Sequence, residues 1–367
     1  MFKELERIGK KLTMKLTKYK LGDLIVQRRE KNNNYDVPIR GVSKDGFIPA
    51  KQKGADTSIY NVFYKYDFVF NPARMELNSI ALNLEYDKAL CSSLYEVFYV
   101  KDESVVLPEF LNLHIKRDEF ARHCDYIGLG SAREYCRFAN IADFELPPIE
   151  VQEEIVEADR LIKQSIRLNN QMIQNLEATA QALYRKTFVD NIDKENLPEG
   201  WRMGTLGEVA TFKYGKLADK HAKSDRYPYP VFSGYAVTGY TNEYTLKEPT
   251  IVIIARGDAG TGKICMSPKE CYLSNLAIAI ETNDMSIKDY LYYYLLDSDT
   301  MSLRSGSAQA QITINNVEPF EIMIPTPKVC MNFSQKVETL NQAVLIKKQE
   351  NEKLTELQSL LLAKMGQ

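Results

Sequence analysis

The chain has 367 residues, 44% of them hydrophobic and 26% charged, which is the composition of a globular protein with the length of two domains. No apolar run approaches the ~20 residues of a membrane-spanning helix. Six cysteines without C-x-x-C spacing favour a reduced cytoplasmic protein over a disulfide framework or a zinc site, and a net charge of −2 excludes a uniformly basic nucleic-acid binder.

Short elements are predicted in the first part of the chain. Met1–Leu12 has apolar residues at helical spacing and predicts a short amphipathic arm, and the globular part begins near Tyr19. Strands are predicted in three β-rich runs bounded by turn residues: Val37–Val42, Phe68–Phe70 and Glu96–Val100. A helix is predicted at Leu107–Phe120. The paired prolines Pro147-Pro148 then break the chain, so the first half is predicted to be an α+β domain.

The most regular stretch is Val151–Phe188, where apolar residues recur every seven positions. This pattern predicts a long helix with one apolar seam. The seam residues are Ile155, Ile162, Leu176 and Leu183, with Ile166, Ile173 and Ala180 in the adjacent row. A second run, Phe333–Met365, repeats the seam 178 positions later, so that Ile155 corresponds to Phe333 and Leu183 to Leu361.

The second half repeats the order of the first. Leu21-Gly22-Asp23-Leu24 returns as Leu206-Gly207-Glu208-Val209, and the strand-like run 250–255 corresponds to 67–73. A helix predicted at Ile287–Leu296 corresponds to the one at Leu107–Phe120. Three further pairs lie 176 positions apart just before the long helices: Ser131-Ala132 and Ser307-Ala308, Asn140 and Asn316, Phe144-Glu145 and Phe320-Glu321. The sequence therefore predicts an internal duplication.

Positive charge is concentrated near the front of each half. Lys15–Lys53 holds ten Lys or Arg residues against four acids, and Lys213–Arg226 holds five against two. These clusters are either phosphate-binding surfaces or solvated loops.

Two long helices with matching seams most simply pack on each other. In a duplicated chain a pseudo-two-fold axis makes them an antiparallel coiled coil. Asn169 then faces the neighbourhood of Lys347 and Asn351, where a buried polar residue fixes the register; the alternative is that these residues are solvated at the seam edge. The first helix, about 55 Å long at ~1.5 Å per residue, suits two contact sites more than one DNA turn (about 34–36 Å) apart.

Two stretches suggest enzyme chemistry but lack essential parts. Gly257–Lys263 fits G-x-x-x-x-G-K, yet Ile264 replaces the Ser/Thr that holds Mg²⁺, and a strand rather than a helix is predicted to follow. A turn that carries Lys263 to a DNA backbone is favoured. Asn71-Pro72-Ala73-Arg74 lacks the second proline and the aromatic residue of an amino-methyltransferase loop, so a turn is predicted there. No catalytic set repeats between the halves, which predicts a protein that is not an enzyme.

Two α+β domains, each followed by a long helix, resemble the specificity (S) subunit of type I restriction-modification systems. The residues that carry this resemblance are Leu21-Gly22-Asp23-Leu24, the Ser-Ala elements at 131 and 307, Pro147–Gln152, and Leu197-Pro198-Glu199-Gly200-Trp201. Two features depart from the family pattern. The run Pro325–Val329 lacks the glutamine found at Gln152, and Met1–Thr13 precedes the usual start region, so that Met14 is an alternative start.

The resemblance implies a non-catalytic subunit with two target-recognition domains, 1–148 (with the N-terminal arm) and 191–326. Each is expected to read one half of a bipartite, asymmetric DNA site, while the spacer helices 149–190 and 327–367 set the gap. The implied partners are double-stranded DNA and two methyltransferase subunits, which restriction subunits can join; no membrane is expected. No cofactor is expected on this chain, because S-adenosylmethionine belongs to the methyltransferase and ATP with Mg²⁺ to the restriction subunit.

Within each domain, basic side chains are expected to contact phosphates and polar loop residues to read bases. The predicted DNA-binding residues are Lys51, Lys53, Arg74, Ser131 and Arg133 in the first domain and Lys216, Lys220, Arg256, Lys263, Gln309 and Gln311 in the second. The alternative for each is a solvated surface side chain. Rival interpretations of the chain are a stand-alone DNA-binding regulator, a coiled-coil protein scaffold, and a nucleotide hydrolase.

Overall fold

A computed structural model describes residues 17–50, 56–117, 122, 143–190, 192–218, 226–257, 260–306 and 311–365. The predicted arm at Met1–Leu12 and the Ser-Ala elements lie outside these residues. The chain divides into two compact units, Met1–Asn169 with Gln349–Gln367, and Asn170–Lys348. Each unit therefore contains one globular part and one half of each long helix.

The first unit is built on a four-stranded antiparallel sheet in the order β2-β9-β6-β7. Its strands are β1 (Thr17–Lys20), β2 (Ile25–Arg28), β3 (Arg40–Ser43), β4 (Gly46–Pro49), β5 (Asn61–Tyr64), β6 (Phe68–Phe70), β7 (Ile80–Leu82), β8 (Lys88–Cys91), β9 (Glu96–Val100) and β10 (Asp143–Leu146). Its short helices are α1 (Leu21–Leu24) and α2 (Pro108–Ile115). Three two-stranded pairs, β1–β10, β3–β4 and β5–β8, complete the described strands.

The predicted strands at Phe68–Phe70 and Glu96–Val100 are confirmed as β6 and β9. The strand predicted at Val37–Val42 begins later, at Arg40, and the helix predicted to reach Phe120 ends at Ile115. At its end the Lys116 amide makes the last regular helical bond, to Asn112 O, the Arg117 amide bonds to His114 O, and the Lys116 ammonium turns to carbonyls of the sheet.

Buried aromatic and aliphatic residues form the core of the first unit. Phe68 and Phe98 stack with ring centroids 4.8 Å apart, and Phe110 and Leu111 of α2 pack into the same cluster. Each such side chain stabilises the fold by roughly 1.5–3 kcal/mol through burial. Ile155 lies in this cluster, so the first part of the long helix is a wall of this domain as well as a connector.

Helix α3 runs from Ile149 to Phe188 without interruption. It begins directly after Pro147-Pro148, as the sequence predicts, because proline is tolerated before and within the first turn but not inside a helix. Along the described residues, Ile155 and Ile162 are fully buried, whereas Leu176 and Leu183 are half-buried.

The second unit repeats the strand order of the first. Its strands are β11 (Arg202–Thr205), β12 (Ala210–Tyr214), β13 (Tyr229–Phe232), β14 (Val237–Thr241), β15 (Ile251–Ile254), β16 (Ile264–Met266), β17 (Tyr272–Leu273), β18 (Ala277–Thr282) and β19 (Glu321–Ile324). Its short helices are α4 (Leu206–Val209), α5 (Lys288–Asp297) and α6 (Ile314–Val317). The sheet β12-β18-β15-β16 has the topology of β2-β9-β6-β7, which confirms the repeat. The chain closes with α7 (Pro327–Lys364).

The two long helices run antiparallel within each unit. In the first, Gln358 Nε2 donates to Asp159 Oδ1 at 2.7 Å, and Asn169 pairs with Asn351 further along. In the second, Lys348 lies 3.3 Å from Glu177, and Phe333 packs on Phe188 with ring centroids 5.1 Å apart. Residue numbers increase along α3 while those of its partners on α7 decrease, so the helices are antiparallel, as the matching seams predict.

Two further findings concern the described residues only. None of their helices combines the length and apolar character needed to cross a membrane. Among the same residues, no cluster of three or more His, Cys, Asp or Glu side chains is placed to hold a metal ion. The described cysteines, Cys91, Cys265, Cys271 and Cys330, are free thiols.

Candidate nucleic-acid interface

The turn between β6 and β7 carries Arg74. The Asn71 side chain accepts a hydrogen bond from the Ala73 amide at 3.1 Å, so the predicted Asn-Pro turn is present and leads into a short 3-10 helix. Backbone bonds from Arg74 N to Asn71 O (3.0 Å) and from Ser79 N to Arg74 O (3.2 Å) close the loop. The Arg74 side chain is exposed, and no described acid forms an ion pair with it. It is available to an anion.

The Lys116 ammonium hydrogen-bonds to the backbone next to this turn. Its Nζ donates to Ile80 O at 2.6 Å and to Lys44 O at 2.8 Å, which ties the β7 strand to the tip of the β3–β4 hairpin. Burial lowers the pKa of Lys116 to about 8, and the nearby Asp45 carboxylate acts in the opposite direction. Lys116 therefore positions two loops and is not itself a phosphate ligand.

A cluster of cations and aromatic rings covers one region of the same unit. The Arg28 guanidinium makes two hydrogen bonds to Asp67, at 2.6 and 3.0 Å, and lies over the Tyr64 ring (4.8 Å) and the Tyr99 ring (4.6 Å). Lys88 Nζ lies 5.2 Å from the centre of the Tyr64 ring. Burial raises the pKa of Asp67, and the Arg28 hydrogen bonds oppose that shift. Sequence reasoning missed this cluster.

Residues 28–35 contain three basic residues and a single tyrosine, Tyr35, so no local pattern in the sequence marks that cluster. The partners Arg28 and Asp67 are 39 positions apart and meet only because β2 and β6 both pair with β9. An Arg–carboxylate pair enclosed by rings is a rigid structural feature. Because Asp67 already neutralises it, Arg28 is a weaker candidate for DNA contact than Arg74.

The corresponding turn in the second unit, between β15 and β16, carries Arg256 and Lys263. Both side chains are exposed, and neither has an ion-pair partner in the described part of the chain. Gly257 and Gly262 have φ of +122° and +92°, which favour glycine. Arg74 and Arg256 thus lie on the same turn of the repeated sheet.

The hydrogen bonds of this turn argue against a phosphate-binding loop. The Gly262 amide donates to Ile254 O at 2.8 Å and the Lys263 amide to Gly260 O at 2.9 Å, so both are used within the hairpin. The predicted strand after Lys263 is confirmed as β16, so no helix N-terminus follows. Thr300 Oγ1 donates to Gly262 O at 2.5 Å and Arg304 Nε to Thr261 O at 2.9 Å, and these bonds hold the turn from outside.

Lys216 and Gln311 lie close to Arg256 along the backbone. The Lys216 amide donates to Leu273 O (2.9 Å) and the Arg256 amide to Leu276 O (3.1 Å), so both border the turn between β17 and β18. Gln311 exchanges backbone hydrogen bonds with Ser305, and the next residue bonds to Ala255, the neighbour of Arg256. The structure therefore brings Lys216, Arg256, Lys263 and Gln311 to one edge of the second unit.

The remaining predicted contact residues are Lys51, Lys53, Ser131, Arg133, Lys220 and Gln309, and these lie outside the described residues. Arg304, which sequence reasoning did not select, is part of the same edge as Arg256. It follows a short 3-10 helix and has no basic neighbours in sequence, so no local pattern marked it.

The candidate register residues lie at the middle of the helix pair. Asn169 is 8% exposed, and its Nδ2 donates to Asn351 Oδ1 at 3.0 Å and to Glu350 Oε2 at 3.2 Å. Lys347 is half-buried and belongs to the second compact unit. The solvated alternative does not hold for Asn169, although its role in fixing the register stays a prediction.

Known proteins are similar to this chain in sequence and in fold. Residues 198–358 match the model of the type I restriction modification DNA specificity domain. The chain is 22% identical to the type I restriction enzyme HindI specificity subunit of Haemophilus influenzae over 354 residues, covering 71% of this chain and 77% of that protein. It is 24% identical to the EcoprrI specificity subunit of Escherichia coli over 137 residues, covering 36% and 34%.

Solved structures extend this similarity to the whole fold. The S subunit of a type I restriction-modification system from M. genitalium has a TM-score of 0.59 at 17% identity, with 97% of both chains covered. A chain from a structural study of complex assembly in the type I R-M system has a TM-score of 0.50 at 18% identity, covering 95% of this chain and 96% of that one. The fold is therefore that of a type I specificity subunit. The resemblance inferred from the sequence is confirmed by these similarities of sequence and fold.

Proposed function

We propose that this chain is the non-catalytic DNA-specificity subunit of a type I restriction-modification complex. Residues 1–148 and 191–326 act as its two target-recognition domains, and each reads one half of a bipartite DNA site. The observation that carries this proposal is the repeated turn. Arg74 and Arg256 occupy it in two domains of the same topology, and both are exposed without an ion-pair partner in the described chain. Paired cationic turns suit a duplex backbone.

The side chains around the two turns differ, which supports an asymmetric site. Lys116 supports the first turn, whereas Thr300 and Arg304 support the second. Domains that present different side chains from the same backbone select different bases. The two half-sites are therefore expected to be unlike.

The helices 149–190 and 327–367 serve in this proposal as the spacer between the half-sites, with Asn169, Lys347 and Asn351 as register residues. Two methyltransferase subunits, and restriction subunits in the complete complex, are the proposed protein partners. S-adenosylmethionine, ATP and Mg²⁺ are assigned to those partners, and no cofactor to this chain. The complex acts where the DNA lies, in the cytoplasm.

The decisive experiment is to map methylated positions in DNA from cells that carry this chain with its methyltransferase. Two unlike half-sites at a fixed separation are expected. A short palindrome would contradict the proposal. Sequence-specific binding by the isolated chain without co-purifying methyltransferase would favour a stand-alone regulator, and co-purification without any effect on DNA would favour a protein scaffold.

Arg256 gives a residue-level test of the DNA interface. Arg256→Ala is expected to weaken DNA binding by the assembled complex and to lower the salt slope by about 1, because one phosphate contact is lost. Arg202→Ala is the matched control, since it removes the same charge at an exposed side chain that already pairs with Glu208 at 2.6 Å. Equal salt slopes for Arg256→Ala and the unmodified complex would remove Arg256 from the interface.

The spacer assignment is tested by lengthening both helices. Seven residues make about two helical turns and add about 10 Å, or roughly three base pairs of DNA at ~3.4 Å each. Insertions of seven residues after Asn169 and after Lys347 are expected to widen the gap and leave both half-sites unchanged. A changed half-site with an unchanged gap would show that the helices do not set the distance.

A further inference from the structure

The tip of the β13–β14 hairpin presents an aromatic ring to solvent. Residues Ser233–Ala236 form a tight turn in which the Ser233 amide donates to Ala236 O at 3.0 Å, and Gly234 has φ of +97°. Tyr235 follows and is 61% exposed. The ring combines a broad apolar face with a polar hydroxyl and is accessible to a binding partner.

This tip packs against the turn that carries Arg256 and Lys263. A Cβ on Gly234 would lie 2.8 Å from Ile254 Cγ1, so the absence of a side chain allows the close approach. Cys265 Sγ donates to Gly234 O at 2.8 Å, and a Cβ on Gly260 would lie 3.7 Å from Tyr235 Cδ1. The ring therefore lies beside the Arg256 turn, and the adjacent Gly234 backbone packs there against the Ile254 and Cys265 side chains.

We propose that Tyr235 contacts the bases of duplex DNA in the half-site read by the second domain. This inference rests on the proposed function and names a residue that does the reading. Arg256 and Lys263 supply positive charge for the phosphates, and neither is neutralised by an acid among the described residues. The adjacent ring has no charge and a broad apolar face, which suits a base edge or a thymine methyl group rather than a phosphate.

The first unit offers different chemistry at the equivalent tip. The β3–β4 hairpin turns through Lys44 and Asp45, and Lys44 O is bound by the Lys116 ammonium. A charged side chain thus occupies the place of Tyr235. Loss of the Tyr235 ring should consequently affect one half-site and leave the other as it was.

The test uses the full chain assembled with its methyltransferase, first to map the methylated site and then to measure binding to a duplex that carries it. Tyr235→Ala is expected to weaken binding roughly tenfold, as for loss of one base contact. Its salt slope should not change, because no charge is removed. Tyr235→Phe keeps the ring and should retain most of the affinity. Tyr240→Ala, at a 39% exposed tyrosine of the same hairpin, is the matched control.

Methylation mapping of the Tyr235→Ala complex gives the second readout. Relaxed sequence preference in one half-site, with the other half-site and the gap unchanged, is the expected result. The inference is overturned if Tyr235→Ala binds and methylates as the unmodified complex does, or if it lowers the salt slope. If the unmodified complex shows no bipartite methylation, the proposed function has failed, so the two failures are distinguishable.

Discussion

The two compact units have the same strand order, but different side chains occupy the equivalent positions where each unit packs against a long helix. At the start of α3, Gln152 is fully buried; its Oε1 accepts from the Leu107 amide at 3.0 Å and its Nε2 donates to Val105 O at 2.9 Å. The equivalent position in α7, 178 residues later, is Cys330. Cys330 is also fully buried but lies in an apolar cluster, where burial raises the pKa of its thiol to about 12.

The next turn of each helix repeats this contrast. In the first unit the buried Asp159 forms a hydrogen-bonded polar pair with the half-buried Gln358, and Lys163 Nζ lies 2.7 Å from Asp159 Oδ2. The positions related to them by the same interval are Val337 and Ala180, which are buried in the second unit's core. The same backbone arrangement can therefore hold either a pair of hydrogen-bonded side chains, which specifies one partner, or a pair of apolar side chains, which is stabilised by burial alone.

The largest effect is expected where the second unit depends on aromatic packing. Phe333 is 1% exposed and contacts the rings of Tyr184, Phe188 and Tyr293. Phe333→Ala should lower the free energy of unfolding of that unit by about 3–5 kcal/mol. Native-state hydrogen exchange, which separates the two units, measures it. Leu345→Ala, at a 56% exposed position of the same helix, is the control and should change little.

The Gln152 position tests whether the hydrogen-bonded glutamine of the first unit can be replaced by the cysteine that occupies the equivalent position of the second unit. Gln152→Cys leaves the Leu107 amide and the Val105 and Pro147 carbonyls without their partner, so the first unit should lose about 1–3 kcal/mol. Hydrogen exchange of α2 and the start of α3 is the readout. Cys330→Ala, the counterpart, removes only one small buried group and should cost less. Equal costs would mean that the hydrogen bonds of Gln152 contribute nothing net.

A smaller effect is expected on converting the Asp159 layer to its apolar counterpart. Gln358→Ala alone should cost about 1 kcal/mol, because Asp159 Oδ1 loses its donor. Adding Asp159→Val recreates the Val–Ala layer of the second unit and should recover most of that loss. A double-mutant cycle by denaturant unfolding gives the coupling free energy. Strictly additive costs would show that the pair does not interact.

The final effect is a pH dependence that Lys116 contributes to the first unit. The pKa of Lys116 is about 8 in the folded protein, below the ordinary value of 10.5. Between these values the unfolded chain binds more protons, so the stability contributed by this position rises with pH there and is constant below about pH 8. The difference between the native chain and Lys116→Met, followed by calorimetry from pH 7 to pH 10, should show this rise. The same comparison for Arg304→Met should be flat, because a guanidinium does not titrate in this range.

Local pattern and repetition made much of the fold predictable. β9 was located from five β-rich residues, and the start of α3 from two prolines, because both signals are contained in neighbouring residues. The matching seams also brought Asn169 to Asn351, 182 positions away, because two copies of one pattern imply an antiparallel pairing.

What the sequence did not predict depends on contacts between residues with no shared pattern. Gln152 belongs to the run Pro147–Gln152 that carries the family resemblance, but the sequence does not predict its hydrogen bonds, since its partners Val105 and Leu107 lie on a loop before α2. Arg304 and Tyr235 reach the Arg256 turn from separate elements, and neither lies in a basic or periodic run. The predicted DNA-binding residues stay predictions, and six of them lie outside the described residues.

Trp201 is the single tryptophan of the chain, and its ring lies 5.8 Å from that of Phe188 in the second unit. Excited selectively, its fluorescence comes from one half of a nearly duplicated molecule, whereas circular dichroism sums over both. An emission change that precedes or follows the loss of helical signal therefore indicates which copy unfolds first. Trp201 is thus a natural fluorescent probe of the second unit, and no added dye is needed to distinguish the two halves.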